Sequence, residues 1–204
     1  MMGDELTAVI ERMNRKILGD VAPKAPDSSG ARESEIQTRI RSLRLPPTIR
    51  DFLITGVDRF GRKWIDSEPY VKARKWITDP EVLIVVLAGI VGAGKTAGAC
   101  RVLAEGISGA FISSAAYCDV AAKKRGRTYW TTRTLVLDDL GVEAPGASFE
   151  IDKLVLERHG EGGSTIITTT LDGDAFADRY SPATVSRLRE VGRWVTCKQL
   201  LRRQ

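Results

Sequence analysis

A chain of 204 residues, 43% hydrophobic and 28% charged, has the size and composition of one globular domain with a short appendage. Its longest apolar run, near residues 82–91, is too short to span a bilayer, and no basic-then-apolar signal segment opens it. The scattered Cys100, Cys118 and Cys197, with no C-x-x-C pair and with His159 as the single histidine, exclude a disulfide scaffold or zinc cluster and lead us to expect a reduced, cytoplasmic protein without membrane contact, whose net charge of +5 argues only weakly for an acidic partner.

Residues 4–18 place Leu6, Ile10, Met13 and Ile17 at helical spacing on an otherwise charged segment. Such a helix needs a surface to pack on, so residues 1–20 read as an amphipathic, partner-binding helix. The Pro-, Gly- and Ser-rich residues 21–32 read as a linker, which leaves 33–204 as the folded body. A helix is expected at 33–44, with Ile36, Ile40 and Leu43 on one face and Pro46 ending it. Another is expected from Ser67 to Ile77, with Ser67 as cap and Pro69 in its first turn.

From residue 82 the pattern changes. Strands are expected at 82–88, 110–116, 134–138, 164–170 and 193–197, with helices at 94–106, 118–125, 148–159, 173–178 and 182–189. Short buried strands alternating with helices make an α/β fold, a parallel five-stranded sheet with helices on both faces.

Between the first strand and its helix lies "GIVGAGKT", residues 89–96, which fits G-x-x-x-x-G-K-T. Glycines suit such a loop because the backbone must curl until successive N–H groups face phosphate oxygens, where a Cβ would collide. Gly89, Gly92, Ala93, Gly94, Lys95, Thr96 and Ala97 are therefore the expected ATP-binding residues. Lys95 supplies charge to the β and γ phosphates, Thr96 a hydroxyl to Mg²⁺, and the helix N-terminus its positive end. A strand before and a helix after are the context that this motif requires.

The stretch "TLVLDDLG", residues 134–141, provides the acids that a Mg-ATP site needs. Asp138, at the strand end, is assigned to the metal together with Thr96. Asp139 is assigned to the attacking water, since phosphoryl transfer to water depends mainly on positioning and charge. Between these acids and the second strand, "KKRGRTYWTTR", residues 123–133, carries five basic groups and no acid. Lys123, Lys124, Arg125 and Arg127 are candidates for phosphate contacts on single-stranded DNA, and Tyr129 and Trp130 for stacking on its bases.

Five stretches, "RLPPTIRDF", "YVKARKWI", the phosphate loop, "LVLDDLG", and "STIITTTL" followed by "DRYSPATVSRL", occur in an order and spacing that resemble the AAA+ ATPases of the DnaC-type helicase-loader and IstB-type transposition-helper group. The resemblance covers roughly residues 43–197 and implies an ATPase that self-associates through its ATP sites. It implies that Arg187 acts as an arginine finger in a neighbouring subunit's site and that residues around Ile49 to Phe52 close over the adenine.

Three departures from the group stand out. Thr170 stands where the group usually has an asparagine that orients the lytic water. A hydroxyl reaches less far and donates one hydrogen bond instead of two, so hydrolysis is expected to be slow or to need stimulation by a partner or DNA. The segment between the second and third strands is short, and no helical lid or lid arginine is expected after the fifth. The reading that follows is an ATP-dependent loader that binds a replicative DNA helicase through the 4–18 helix and delivers it to single-stranded DNA. The alternatives are an IstB-like transposition helper and a nucleotide-gated DNA-binding module that hydrolyses little. A small-molecule kinase fits poorly, because no Arg-rich lid insertion is present and the paired acids lie on a strand well downstream.

Overall fold

The computed structural model describes residues 29–56, 67–105, 107–122 and 126–198. Two units divide the chain, Met1–Glu33 and Ser34–Gln204; the sheet and its helices belong to the second, and of the first only the opening residues of one helix are described. The expected 4–18 helix and most of the expected linker lie outside the described residues.

Prolines set the boundaries of the first elements. Helix α1 (Ser29–Ser42) begins before the predicted 33, inside the stretch read as linker. No proline follows Pro26 there, and Gly30 falls in the first turn, where an N–H needs no partner within the helix. The Pro46–Pro47 pair that ends this pattern also starts a helix that the sequence reading did not anticipate, α2 (Pro47–Thr55). The ring of Pro47 presets the φ of the first helical turn, and Gly56, at φ 69°, caps the other end. α2 buries Phe52 and Leu53, and its Ile49 packs with Ile40, Leu45 and Cys100, so at least part of the Ile49–Phe52 stretch serves core packing. Helix α3 (Glu68–Ile77) follows, with Pro69 in its first turn as expected.

The body then alternates as read: β1 (Ile84–Gly89), α4 (Lys95–Ala104), β2 (Gly109–Ser113), α5 (Ser114–Ala122), α6 (Arg127–Thr131), β3 (Thr134–Leu140), α7 (Ser148–Gly160), β4 (Ser164–Thr169), α8 (Gly173–Arg179), α9 (Pro182–Val191) and β5 (Gly192–Cys197). β2 is shorter than predicted because Ser114 already opens α5, while α6 was not predicted at all.

The five strands pair in parallel in the order β2-β3-β4-β1-β5. Val85 and Leu87 enter one core with Tyr70, Ala73, Ala99 and Leu103, while Ile84 and Val86 enter a second with Leu137, Ile151 and Leu154. That period of two, with both faces dry, explains the unbroken apolar run of β1. The insertion of β4 between β1 and β3 brings the carboxyl ends of three neighbouring strands to one edge, where open α/β sheets bind ligands. Among the described residues, no helix is long and apolar enough to cross a membrane, and the three cysteines are free.

Candidate functional site

The loop from β1 to α4 turns on Gly89, Gly92 and Gly94, whose φ angles are 145°, 84° and 78°, a region that L side chains rarely adopt. Gly89 answers to a second constraint as well. A Cβ there would lie 2.1 Å from the carbonyl oxygen of Cys197, so close approach of β5 requires this glycine independently of any phosphate. Lys95 is buried, and its Nζ donates to the carbonyls of Gly89 (2.7 Å) and Ile90 (2.8 Å). Burial holds its pKa below the ordinary lysine value, while Cys197, Asp139 and Asp138 pull the other way. Ala93 and Ala97, on either side, are buried.

The end of β3 is built from a bulge. Its register with β4 runs Leu137↔Ile167 and then Leu140↔Thr169, so Asp138 and Asp139 together face Thr168. Asp139 is the one non-glycine residue with positive φ (53°) among the described residues. An aspartate tolerates this left-handed turn better than most residues, at a cost of about 1 kcal/mol. The consequence is a division of labour: Asp138 is buried and Asp139 is turned out to solvent. The backbone of Asp139 is pinned on both sides, its N–H donating to Thr168 Oγ1 (2.9 Å) and its carbonyl accepting from Ser114 Oγ (2.8 Å).

Asp138 Oδ1 accepts from Thr168 Oγ1 at 2.6 Å, and the Thr96 hydroxyl lies near this carboxylate. Burial pushes Asp138 above the ordinary carboxylate range, opposed by these two hydroxyls. The Thr96 hydroxyl and the Asp138 carboxylate are adjacent hard oxygens, and no group of three or more His, Cys, Asp or Glu fit to hold a metal by itself occurs among the described residues. That donor set suits Mg²⁺, which takes one or two protein oxygens and fills its shell with phosphate and water. When bound, the ion supplies charge against the phosphate oxygens; the chain's part is to hold Asp138 with the Thr168 hydroxyl and to place Lys95 near both acids.

The threonines of β4 are distributed otherwise than the sequence suggested. Thr170 lies just past the strand and is exposed, whereas Thr168 reaches Asp138 and Thr169 Oγ1 donates to the carbonyl of Leu140 (2.7 Å). Both hydroxyls that fasten the bulge were missed, because "TTT" alone does not say which side of the strand each residue faces.

A second feature had no signal in the sequence. The side chain of Glu143 is fully buried: Oε2 accepts the N–H of Gly141 (2.9 Å), and Oε1 accepts Arg179 Nε (2.8 Å) and Tyr180 Oη (2.6 Å). Arg179 Nη2 donates in addition to the Glu143 carbonyl at 2.7 Å. Burial pushes this carboxyl up, but the hydrogen bonds from Tyr180, Arg179 and Gly141 outweigh it and hold the pKa below the ordinary value. Asp152 accepts the N–H of Ser181 (3.0 Å to Oδ1), and Ser181 caps α9, so the α8–α9 junction is tied down twice.

Arg187 stands half-exposed on α9 and pairs with Glu190 one turn along. Of the nucleic-acid candidates, Lys123, Lys124 and Arg125 lie outside the described residues, and Arg127 is exposed at the start of α6. Tyr129 and Trp130 are half-buried and pack on the second core. Tyr129 meets Tyr117 edge to face at 6.0 Å, and Trp130 Nε1 donates to Tyr117 Oη at 3.0 Å. Both rings therefore serve packing, and only their remaining exposed parts are open to a base.

Arg158 fixes that segment. Completely buried, it donates to the carbonyls of Tyr129 (2.5 Å), Thr132 (2.7 Å) and Ser164 (2.5 Å) and to Thr165 Oγ1 (2.9 Å), and burial pushes its pKa down to about 10.

No family model matches the sequence, and no curated protein matches it as a relative. Solved structures do resemble it. A candidate primosome component from Streptococcus pyogenes serotype M3 is 19% identical, with 86% of this chain and all of that one covered at a TM-score of 0.58. The DnaC helicase loader is also 19% identical, with 83% of this chain and 100% of that one covered at 0.54. AMPPCP-bound DnaA from Aquifex aeolicus is 18% identical over 65% of this chain and 46% of its own length, at 0.51. Likeness at these identities speaks to architecture, and with the β2-β3-β4-β1-β5 sheet and the phosphate loop at the end of β1 it establishes that the chain shares the α/β P-loop type of fold of the DnaC loader and of DnaA.

Proposed function

We propose that the chain is a Mg-ATP-binding ATPase of DNA replication that works as a helicase loader. The observation that carries this reading is the meeting of Lys95, Thr96 and Asp138 at the carboxyl edge of the sheet, with Asp139 turned outward beside them. Lys95 and the loop N–H groups bind the β and γ phosphates. Thr96 and Asp138 hold Mg²⁺, and Asp139 orients and polarises the attacking water. Arg187, half-exposed on α9, completes a neighbouring subunit's site, so that hydrolysis depends on assembly. Residues 4–18 bind a replicative helicase, and Arg127 with the lysines and arginine before it contacts single-stranded DNA. Likeness to a helicase loader and a candidate primosome component favours this over a transposition helper.

The test is hydrolysis measured across protein concentration, with and without single-stranded DNA. Turnover should rise with concentration and with DNA; turnover that depends on neither removes the assembly mechanism. A second reading, a nucleotide-gated binding module with little hydrolysis, is favoured by one observation, the exposure of Thr170 beyond the end of β4. Single-turnover kinetics separate the two.

A further inference from the structure

The Glu143 carboxylate joins two parts of the molecule that the proposed reaction uses separately. On one side it holds the N–H of Gly141, two residues beyond Asp139 in the turn that closes the bulge. Gly141 is itself at φ 105°, and a Cβ there would meet the Leu171 side chain at 2.9 Å, so this turn calls for glycine. On the other side Glu143 holds Arg179 and Tyr180, the last residue of α8 and its cap, directly before Ser181 caps α9. α9 carries Arg187.

From this juxtaposition we propose that Glu143 is a positioning residue that sets the Asp139 turn and the start of α9 together, and so couples a subunit's own ATP site to the arginine it presents to its neighbour. The proposal rests on the reading of Asp139 and Arg187 given above. Its physical basis is the number of donors on one carboxylate. Three converge on its two oxygens, one from the turn and two from the α8–α9 junction, and all are within 2.9 Å. With the side chain fully buried, no water replaces a partner that moves away, so displacement of either side leaves a buried polar group unsatisfied. The two sides therefore shift together or stay together.

The first test does not use hydrolysis. In Glu143→Gln the side chain keeps its shape, but an amide –NH₂ cannot accept from Gly141 or from the Arg179–Tyr180 pair. Amide hydrogen exchange should accelerate by about tenfold or more both in residues 139–143 and in residues 179–185, with β1 and α7 unchanged. Acceleration in one segment alone overturns the coupling, as does acceleration everywhere, which marks a general structural role. Tyr180→Phe is the milder variant should Glu143→Gln fold poorly. It removes one hydrogen bond while the ring stays on Phe176, 4.6 Å away between centroids, and it should give the same pair of segments with smaller changes.

The second test reads the site. Mg-ATP affinity of Glu143→Gln should stay within about twofold of wild type, while its hydrolysis falls by about tenfold, the effect of a hydrogen bond worth about 1.4 kcal/mol. Mixed assemblies then report on each side. A Lys95→Ala subunit offers an intact Arg187 and should restore Arg187→Ala subunits, yet leave Glu143→Gln subunits slow. A Glu143→Gln subunit should restore Arg187→Ala subunits poorly; restoration equal to that by Lys95→Ala overturns the link to α9. If Arg187→Ala alone is fully active, the reading of Arg187 fails and with it this coupling's role in hydrolysis, while the exchange result still decides whether Glu143 holds both segments.

Discussion

The hydroxyl of Thr168 donates to Asp138 Oδ1 at 2.6 Å while accepting the N–H of Asp139 at 2.9 Å. A backbone N–H can only donate, so the hydroxyl proton is committed to Asp138, which must accept it. One side chain thereby orients the buried acid and holds the bulge that turns the next acid outward.

Thr168→Val keeps the shape and deletes both bonds. Stability should fall by about 1–3 kcal/mol, because the Asp139 N–H and an Asp138 oxygen both lose a partner. The Mg²⁺ concentration needed for nucleotide binding should rise, whereas Thr168→Ser should restore it. Denaturant melts and Mg²⁺ titrations of a fluorescent ATP analogue measure the two effects; an unchanged Mg²⁺ requirement in the valine variant refutes the orienting role.

Lys95→Ala should abolish ATP binding in calorimetry, since the loop keeps its N–H groups but loses its mobile charge. Affinity equal to wild type would dismiss the phosphate-loop assignment.

Asp139→Asn should bind Mg-ATP normally and hydrolyse it slowly, because both backbone pins of residue 139 survive and asparagine also tolerates a left-handed turn. Asp139→Val, branched at Cβ, should cost a further 1–2 kcal/mol, roughly, of stability at φ 53°. Weakened Mg-ATP binding with unaltered turnover in the asparagine variant would mean that the two aspartates have exchanged roles.

Glu143 gives a pH dependence of definite sign. Its folded pKa lies below the unfolded value of about 4.3, so its stabilisation is complete above that value and is lost as pH falls through the folded one. The stability difference between wild type and Glu143→Gln should be widest near neutrality and narrow on acidification below about pH 4. A gap that widens in acid contradicts the hydrogen-bonded, ionised carboxylate.

The sheet was legible because its strands are short apolar runs bounded by glycine, proline and capping residues, and because the phosphate loop fixes where β1 ends and α4 starts. What escaped depended on side-chain direction or on distant partners. α2 was hidden by the Pro46–Pro47 pair, which reads as a stop and acts as a start. Thr168 was overlooked in favour of Thr170, since a one-residue bulge in β3 decides which threonine faces Asp138. Glu143 and Arg179 lie far apart in sequence with no periodic pattern between them, and only the crossover from β3 to α8 makes them neighbours. Tyr129 and Trp130 look like nucleic-acid residues beside so many cations, but the tyrosine on α5 claims both.

Arg158 has a consequence for engineering. By gripping the carbonyls of Tyr129 and Thr132, it anchors the chain immediately after the α5–α6 connection, and Ala122 at the other side ends a helix packed on the sheet. Added sequence between Ala122 and Gly126 would then meet fixed ends, and each doubling of its length would cost only about 0.6 kcal/mol of closure entropy. A reporter peptide or small fluorescent module spliced there should leave the melting behaviour of the domain nearly intact, so that any loss of single-stranded DNA binding it causes reports on Lys123, Lys124 and Arg125 rather than on the fold.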